Sequence, residues 1–259
     1  MWKSFTSSYR ILRLPRWKTA VGLAAVLIAA SALAHGYIGH LYRSSLPAAG
    51  QLQQNLVVLD PGHGGPDPGA ISDDGILEKD IVLDISLQLA DHLRTAGYQV
   101  ILTRTTDEDL SELPKDAPLR RRKQKDLKRR AEIINESGAD AVISIHANAV
   151  ASSRWSGSQV FYRTDRAPEN ELLADSLQTE LVHITRETTR DINCSTAQYI
   201  LTKAHPPAVT VEVGFLSNPR EAELLSKPSY QDKLAWTLMV GLSRYFARIQ
   251  NEPPQKGTE

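Results

Sequence analysis

The stretch Leu56 to Gly69, LVVLDPGHGGPDPG, constrains the fold more than any other part of this 259-residue chain. It starts as an apolar run typical of a strand buried on both faces, and at Asp60 it breaks into prolines and glycines that cannot continue a strand. His63 is therefore expected just past the end of a core strand. Open α/β sheets bind ligands outside the carboxyl ends of their strands, so the stretch predicts an α/β fold with His63 at its binding edge.

The N-terminal residues are expected to lie outside the folded domain. A basic start with five cations and no acid is followed by an apolar segment, which fits either a secretory signal cleaved after Ala34 or an uncleaved membrane anchor. The anchor is slightly favoured, and both alternatives send the rest of the chain across the membrane. The predicted divisions are a basic cytoplasmic N-terminus 1–18, a signal or transmembrane anchor 19–41, a linker 42–54, a catalytic domain 55–249 and a polar tail 250–259.

Charge and cysteine content exclude several classes of protein. The formal net charge is zero, but the basic N-terminus leaves about −5 on the remainder, so nucleic acid is not an expected partner. The basic run 120–130 lies on a predicted helix without interleaved aromatic residues, and we interpret it as a solvated helix face. The single cysteine, Cys194, excludes an intramolecular disulfide and is expected to be a buried packing residue.

Strand-like and helix-like segments alternate through the domain, as in α/β proteins with parallel strands. Amphipathic helices are predicted over 81–97, 119–138, 169–185, 218–225 and 232–249. Strands are predicted at 57–59, 98–103, 139–149, 158–162 and 208–215.

Four polar side chains stand out against this pattern. His146 ends a buried strand as His63 does, and Glu78 lies at or just before the first turn of a helix. Glu212 lies in the apolar strand AVTVEVGF, where burying a charged carboxylate costs several kcal/mol unless a cation or hydrogen bonds compensate. Each residue alone has an ordinary explanation: a satisfied buried histidine, a helix-dipole partner, or a glutamate on the wet face of an edge strand.

Together these four side chains predict hydrolytic metal chemistry. Parallel strands share one carboxyl edge, which would bring them close to one another. Two imidazoles and a carboxylate suit tetrahedral Zn²⁺ with a fourth position open to water, and a second carboxylate can carry the proton to a leaving amine. The chain has neither a P-loop nor a G-x-S-x-G nucleophile elbow, and nothing near Cys194 would activate it.

Five ordered motifs carry a family resemblance. LDPGHGGPDPGA, LEKD, TRTTD, ISIHANA and VEVGFLSNPREAELL occur in this order over roughly residues 55–248. They resemble the zinc-dependent N-acetylmuramoyl-L-alanine amidases of the amidase_3 class. The resemblance implies a single α/β domain whose twisted, mostly parallel sheet is flanked by helices on both faces. It also implies that His63, Glu78 and His146 bind zinc and that Glu212 is the catalytic glutamate. The expected reaction hydrolyses the amide between the lactyl group of N-acetylmuramic acid and L-alanine of the peptidoglycan stem peptide.

Further motifs resemble one subtype of this family, the spore-cortex, germination-specific amidases of endospore formers. They are RWSGSQVFY, the ETTR sequence that ends at Arg190, and KPSYQDK, together with the N-terminal membrane segment. The subtype implies muramic δ-lactam formation during sporulation and germination, an extracytoplasmic location in the forespore intermembrane space, and an accessory lipoprotein partner. No inhibitory helix is evident between His146 and Glu212. The alternatives are a zinc-dependent peptidoglycan deacetylase or peptidase and a non-catalytic cell-wall-binding module.

Overall fold

The computed structural model of the chain describes residues 55–165 and 169–251. The predicted N-terminal segments 1–18, 19–41 and 42–54, and all but the start of the polar tail, lie outside the described residues, and the predicted domain boundaries stay predictions. Among the described helices, none combines the length and the apolar character that a membrane crossing requires.

A mixed, mostly parallel sheet runs through the described part of the chain, with six strands in the order β2-β1-β3-β6-β4-β5. Neighbours β2, β1, β3 and β6 are parallel, β4 is antiparallel to β6, and β5 is parallel to β4. The α/β prediction is therefore confirmed. The strands are β1 (Leu56–Pro61), β2 (Gln99–Leu102), β3 (Ala141–Asn148), β4 (Gln159–Tyr162), β5 (Asn193–Cys194) and β6 (Ala208–Phe215).

Helices cover both faces of the sheet. One face packs against α1, α3, α5 and α6, and the opposite face packs against α2 and α4. The prediction of helices on both faces is confirmed. The helices are α1 (Glu78–Thr95), α2 (Leu119–Glu136), α3 (Glu169–Glu180), which continues into a π-helical turn (Leu181–Thr185), α4 (Tyr199–Lys203), α5 (Pro219–Leu225) and α6 (Pro228–Asn251).

The alternation of β6 determines which of its side chains face the site. Val209, Val211 and Val213 are buried in the larger core with α1, α3 and α6. Thr210 and Glu212 point to the opposite face, because successive side chains of a strand alternate. Since β6 lies between β3 and β4, the alternative of an edge strand with one wet face is wrong.

Cys194 departs from the sequence expectation. It lies in the two-residue strand β5 at the edge of the sheet, and it is exposed. The prediction of a buried packing residue is therefore wrong. The physical reason is positional, since the edge strand β5 pairs only with β4 among the described strands and leaves this side chain without a covering layer.

Candidate metal centre and active site

A row of side chains crosses the sheet near the carboxyl ends of its parallel strands. His146 of β3 is in register with Glu212 of β6, and Glu212 is in register with Gln159 of β4. Directly opposed residues of neighbouring strands point to the same face of a sheet. We call His146, Glu212 and Gln159 the catalytic row. It lies on the same face of the sheet as α2 and α4, which cover that face nearer the amino ends of the parallel strands.

His63 joins this row from the loop after β1. Its backbone has a positive φ of 60°, a conformation that non-glycine residues seldom adopt. The loop carbonyls are held by two buried guanidinium groups: Arg130 donates to the carbonyls of Pro61 and His63, and Arg104 donates to those of Pro61 and Gly62. These hydrogen bonds fix the loop in the conformation that directs the His63 imidazole towards α1.

Glu78, the first residue of α1, connects the two histidines. Its Oε1 lies 2.9 Å from His146 Nδ1 and accepts a hydrogen bond from the backbone N–H of Ala147 at 3.0 Å. Its Oε2 lies 3.2 Å from His63 Nε2 and accepts from the N–H of Ala70 at 2.7 Å. Burial opposes ionisation of this carboxylate, but the hydrogen bonds from His146 and His63 outweigh burial and lower its pKa.

Asp67 holds the other nitrogen of His63. Its Oδ2 lies 2.9 Å from His63 Nδ1, and its Oδ1 lies 2.7 Å from the ammonium of Lys123. Burial acts to lower the pKa of His63, but the hydrogen bonds to Asp67 and Glu78 outweigh it and raise the pKa to about 9. Because Nδ1 donates to Asp67, Nε2 is the nitrogen of His63 that is available to a metal.

The donor set fits a divalent metal ion. One ligand atom each from His63, Glu78 and His146 lie within 4.8 Å of one another. Zinc bonds of about 2.0–2.2 Å at tetrahedral angles separate neighbouring ligand atoms by roughly 3.4 Å. The carboxylate of Glu78 lies at 2.9 Å from His146 and 3.2 Å from His63, close to that separation. Two imidazoles and a carboxylate are also the donors that catalytic zinc sites use.

Two glycines make this convergence possible. A Cβ on Gly62 would lie 2.3 Å from His146 Cε1. A Cβ on Gly69, whose φ is +69°, would lie 2.4 Å from Glu78 Oε2 and 2.8 Å from His63 Cδ2. Glycine is therefore required at both positions by the side chains of the three candidate ligands.

Glu212 lies beside the candidate ligand His146 in the sheet. Its Oε2 is buried and has no hydrogen-bond partner among the described residues. Burial raises its pKa, and nearby His146 partly offsets that effect. A buried carboxylate oxygen without a hydrogen-bond partner is rare in folded proteins.

The site opens into a cleft of about 220 Å³, which His63 and His146 line on the sheet side. Lys123, Leu127 and Ile200 line its opposite wall, on α2 and α4. A larger cavity of about 470 Å³ lies at the amino ends of the strands, around Asn55 and Tyr245, and contains none of the predicted site residues. Of the four predicted site residues, two line the smaller cleft and none lines the larger cavity.

Sequence reasoning singled out His63, Glu78, His146 and Glu212 but gave no role to the residues that support them. Asp67 and Arg104 occur within the family motifs LDPGHGGPDPGA and TRTTD. Their presence in these motifs was the only sequence feature that could have pointed to a supporting role. Arg130 lies in the basic run that predicted a solvated face, yet it is only 2% exposed. The roles of the four predicted residues as zinc ligands and catalytic glutamate stay predictions.

Comparison with known proteins identifies the family. Residues 57–244 match the Amidase_3 model, which describes N-acetylmuramoyl-L-alanine amidases. The chain belongs to the N-acetylmuramoyl-L-alanine amidase family. The family and the amidase function predicted from the ordered motifs are therefore confirmed.

Individual members of the amidase family resemble the chain over most of its described length. It is 43% identical to the germination-specific N-acetylmuramoyl-L-alanine amidase of Bacillus subtilis (strain 168) over 212 residues, 82% of this chain and 86% of that protein. Among solved structures, the CwlD amidase of Clostridioides difficile, in complex with the GerS lipoprotein, has a TM-score of 0.72 and 37% identity, covering 74% of this chain and 98% of that one. An N-acetylmuramoyl-L-alanine amidase from Clostridium difficile 630 has a TM-score of 0.66 and 30% identity, covering 78% and 98%.

Proposed function

We propose that this amidase is a zinc enzyme that cuts the bond between the lactyl group of N-acetylmuramic acid and L-alanine of the stem peptide. The observation that carries the proposal is the convergence of His63, Glu78 and His146 within 4.8 Å, with Glu212 in register beside His146. A zinc ion held by these three residues would supply Lewis-acid chemistry to the scissile carbonyl and to the attacking water.

The protein's own groups divide the remaining work. Glu212, whose Oε2 is buried and unpartnered, takes the proton of the attacking water and delivers it to the departing alanine nitrogen. Burial raises the pKa of Glu212, which makes its carboxylate a stronger base towards the water proton. Asp67 orients the His63 ring through Nδ1, and the two buried arginines keep the His63 loop in place.

The finer biological role belongs to the same proposal. The 43% identity to a germination-specific amidase supports a role in the spore cortex, where muramic δ-lactam forms during sporulation. The likeness to an amidase that forms a complex with a lipoprotein supports an accessory lipoprotein partner. A peptidoglycan substrate supports a location outside the cytoplasm, with segment 19–41 as the signal or membrane anchor. The likeness to a germination-specific amidase supports the forespore intermembrane space as that location.

Digestion of purified peptidoglycan followed by mass spectrometry tests the reaction. An amidase releases intact stem peptides with a free L-alanine amino group and leaves muramic acid without its peptide. Loss of acetate from the glycan would instead identify a deacetylase, and cleavage within the stem would identify a peptidase. Binding to the wall without any released product would identify a non-catalytic module.

A further inference from the structure

The loop between β3 and β4 presents an aromatic ring that the proposed mechanism does not use. Trp155 is 49% exposed, although the loop around it is firmly held. Asn218 donates from Nδ2 to the carbonyl of Trp155 at 3.2 Å, and the N–H of Gly157 donates to Glu221 at 2.9 Å. These hydrogen bonds therefore fix the backbone that carries the exposed ring.

Arg190 backs this ring. Its guanidinium carbon lies 5.4 Å from the centroid of the Trp155 ring and 4.9 Å from that of Phe215, so it is held between two aromatic faces. Its Nε donates to the carbonyl of Ser156 at 2.7 Å. A cation on one face of an indole is an attractive cation–π contact and also fixes the tilt of the ring.

The structure joins two sequence motifs that the proposed mechanism leaves unused, RWSGSQVFY and ETTR. Thr188 donates from its hydroxyl to the carbonyl of Ser158 at 2.8 Å, and a Cβ on Gly157 would lie 2.7 Å from the same hydroxyl oxygen. Arg190, the last residue of ETTR, contacts Ser156 and the Trp155 ring of the first motif. The two motifs therefore build one local unit around Trp155.

This unit continues the catalytic row. Arg190 donates from Nη1 to Gln159 Oε1 at 3.2 Å, and Gln159 is directly opposed to Glu212 in the sheet. From Glu212 the sequence of neighbours is therefore Gln159, then Arg190, then Trp155. The exposed ring belongs to the same edge of the molecule as the reaction centre, and only two side chains separate it from Glu212.

We infer that Trp155 is a sugar-binding platform for the glycan strand on which the scissile bond is carried. The inference rests on the proposed function, because it assigns the sugar side of that substrate to this surface. The C–H face of a pyranose ring carries a slight positive charge and packs on the negative face of an aromatic ring. Arg190 covers one face of the indole, which leaves the exposed part of the ring to the sugar.

A binding experiment with the full chain in detergent tests the inference. The probe is a set of purified glycan strands from which the stem peptides have been removed. These strands contain no scissile amide, so the variants are made in the wild-type background. Isothermal titration should show that Trp155→Ala weakens glycan binding by about fivefold or more, as expected for truncation of an aromatic anchor. Trp155→Phe should restore most of the affinity.

Trp236 provides a matched control. It is also 49% exposed, but it lies on α6 and packs edge-on against His92 at 5.6 Å, outside the catalytic row. Trp236→Ala should bind glycan like the wild-type chain. Circular dichroism and zinc content verify that each variant is folded.

The outcomes separate this inference from the proposed function. Unchanged glycan affinity in Trp155→Ala, or an equal loss in Trp236→Ala, would overturn the platform. If binding of isolated stem peptides depends on Trp155 and binding of glycan does not, the platform is also overturned, and the ring contacts the peptide instead. If wild-type protein releases no stem peptide while glycan binding still depends on Trp155, the amidase proposal fails and the platform stands.

Discussion

His146 and Glu212 occupy directly paired positions on neighbouring parallel strands, yet they have different environments. His146 contacts Glu78 through Nδ1, whereas Glu212 keeps a buried oxygen without a hydrogen-bond partner among the described residues. The register therefore places a candidate metal ligand beside a candidate proton carrier. The Glu212 side chain avoids the larger apolar core because it points to the face opposite Val211 and Val213.

Replacing Glu212 tests this division of roles. Glu212→Gln keeps the size of the side chain but cannot accept the water proton, so peptide release from peptidoglycan should fall by about 10²–10⁴-fold. The zinc content per chain should stay at the wild-type level. Glu223→Gln is the control, since Glu223 is an exposed residue of α5 whose described ion pair is with Lys227, and it should keep full activity. Comparable peptide release by Glu212→Gln would falsify the proton-transfer role.

Removal of one ligand should abolish metal binding. His63→Ala leaves one imidazole and one carboxylate, too few donors for a tight catalytic zinc site, so we expect loss of zinc in elemental analysis together with loss of activity. Added zinc at about 100 times its dissociation constant should stabilise wild-type protein by about 2.7 kcal/mol but should leave the variant unchanged. His183→Ala, at an exposed position of the π-helical turn, should behave like wild type. Zinc retained by His63→Ala would remove His63 from the ligand set.

Gly62 is predicted to be essential for metal affinity. In Gly62→Ala the new Cβ meets the His146 ring at 2.3 Å, so the imidazole must move, and zinc affinity should fall by about tenfold or more. Gly138→Ala is the control: the space around Gly138 is open and only its φ of +69° is unfavourable. That variant should lose about 1–2 kcal/mol of stability without a change in zinc affinity. Equal zinc affinities in competition with a chelator would contradict the steric argument.

Asp67 is predicted to tune the metal site through His63. Asp67→Ala removes the acceptor at 2.9 Å from Nδ1, so zinc affinity should fall by about 10–100-fold, and Asp67→Asn should recover part of the loss through its carbonyl oxygen. The control is Lys123→Met, which removes a partly exposed ion pair with Asp67. Such pairs contribute only about 0–1 kcal/mol, so this variant should change zinc affinity by less than about fivefold. An Asp67→Ala protein with wild-type affinity would exclude the orienting role.

The buried pair of Asp60 and Arg130 predicts an acid-dependent stability. Burial acts to raise the pKa of Asp60, but Arg130 at 2.9 Å and hydrogen bonds from Ser144 and Thr103 hold the pKa below its usual value. A depressed folded-state pKa stabilises the fold at all pH values above the unfolded pKa of about 3.9, and the stabilisation is lost as pH falls further.

Urea denaturation across pH measures this contribution. The free energy of unfolding of Asp60→Asn should be about 3 kcal/mol lower than that of wild type at pH 7. The reason is that the substitution leaves Arg130 with Asp126 as its remaining carboxylate partner. The difference should shrink as the pH falls below about 4. Asp91→Asn, at a site 82% exposed, should match wild type throughout. A constant difference between pH 7 and pH 3 would show that the charge of Asp60 is not its source.

Much of the site is encoded locally. The break after β1, the start of α1 at Glu78 and the alternation of β6 depend on neighbouring residues alone, because periodicity and strand-breaking residues act within a few positions. From these features the sequence predicted an α/β sheet with His63, His146 and Glu212 near the carboxyl ends of its strands. The family motifs added the division between ligands and proton carrier.

Only the tertiary structure decided the rest. The residue pattern of QVFY predicts a strand but does not specify whether that strand pairs parallel or antiparallel. Its antiparallel pairing with β6, and the contact between Gln159 and Arg190 that depends on it, were therefore not predictable. Arg130 resembles the solvated bases around it in sequence, but the fold buries its guanidinium against Asp60 and the carbonyls of Pro61 and His63. Cys194 resembles a packing residue in sequence, but the fold places it in the edge strand β5. Burial and charge pairing depend on residues distant in sequence, which no local pattern specifies, whereas the positions of strands and helix starts follow from the chain itself.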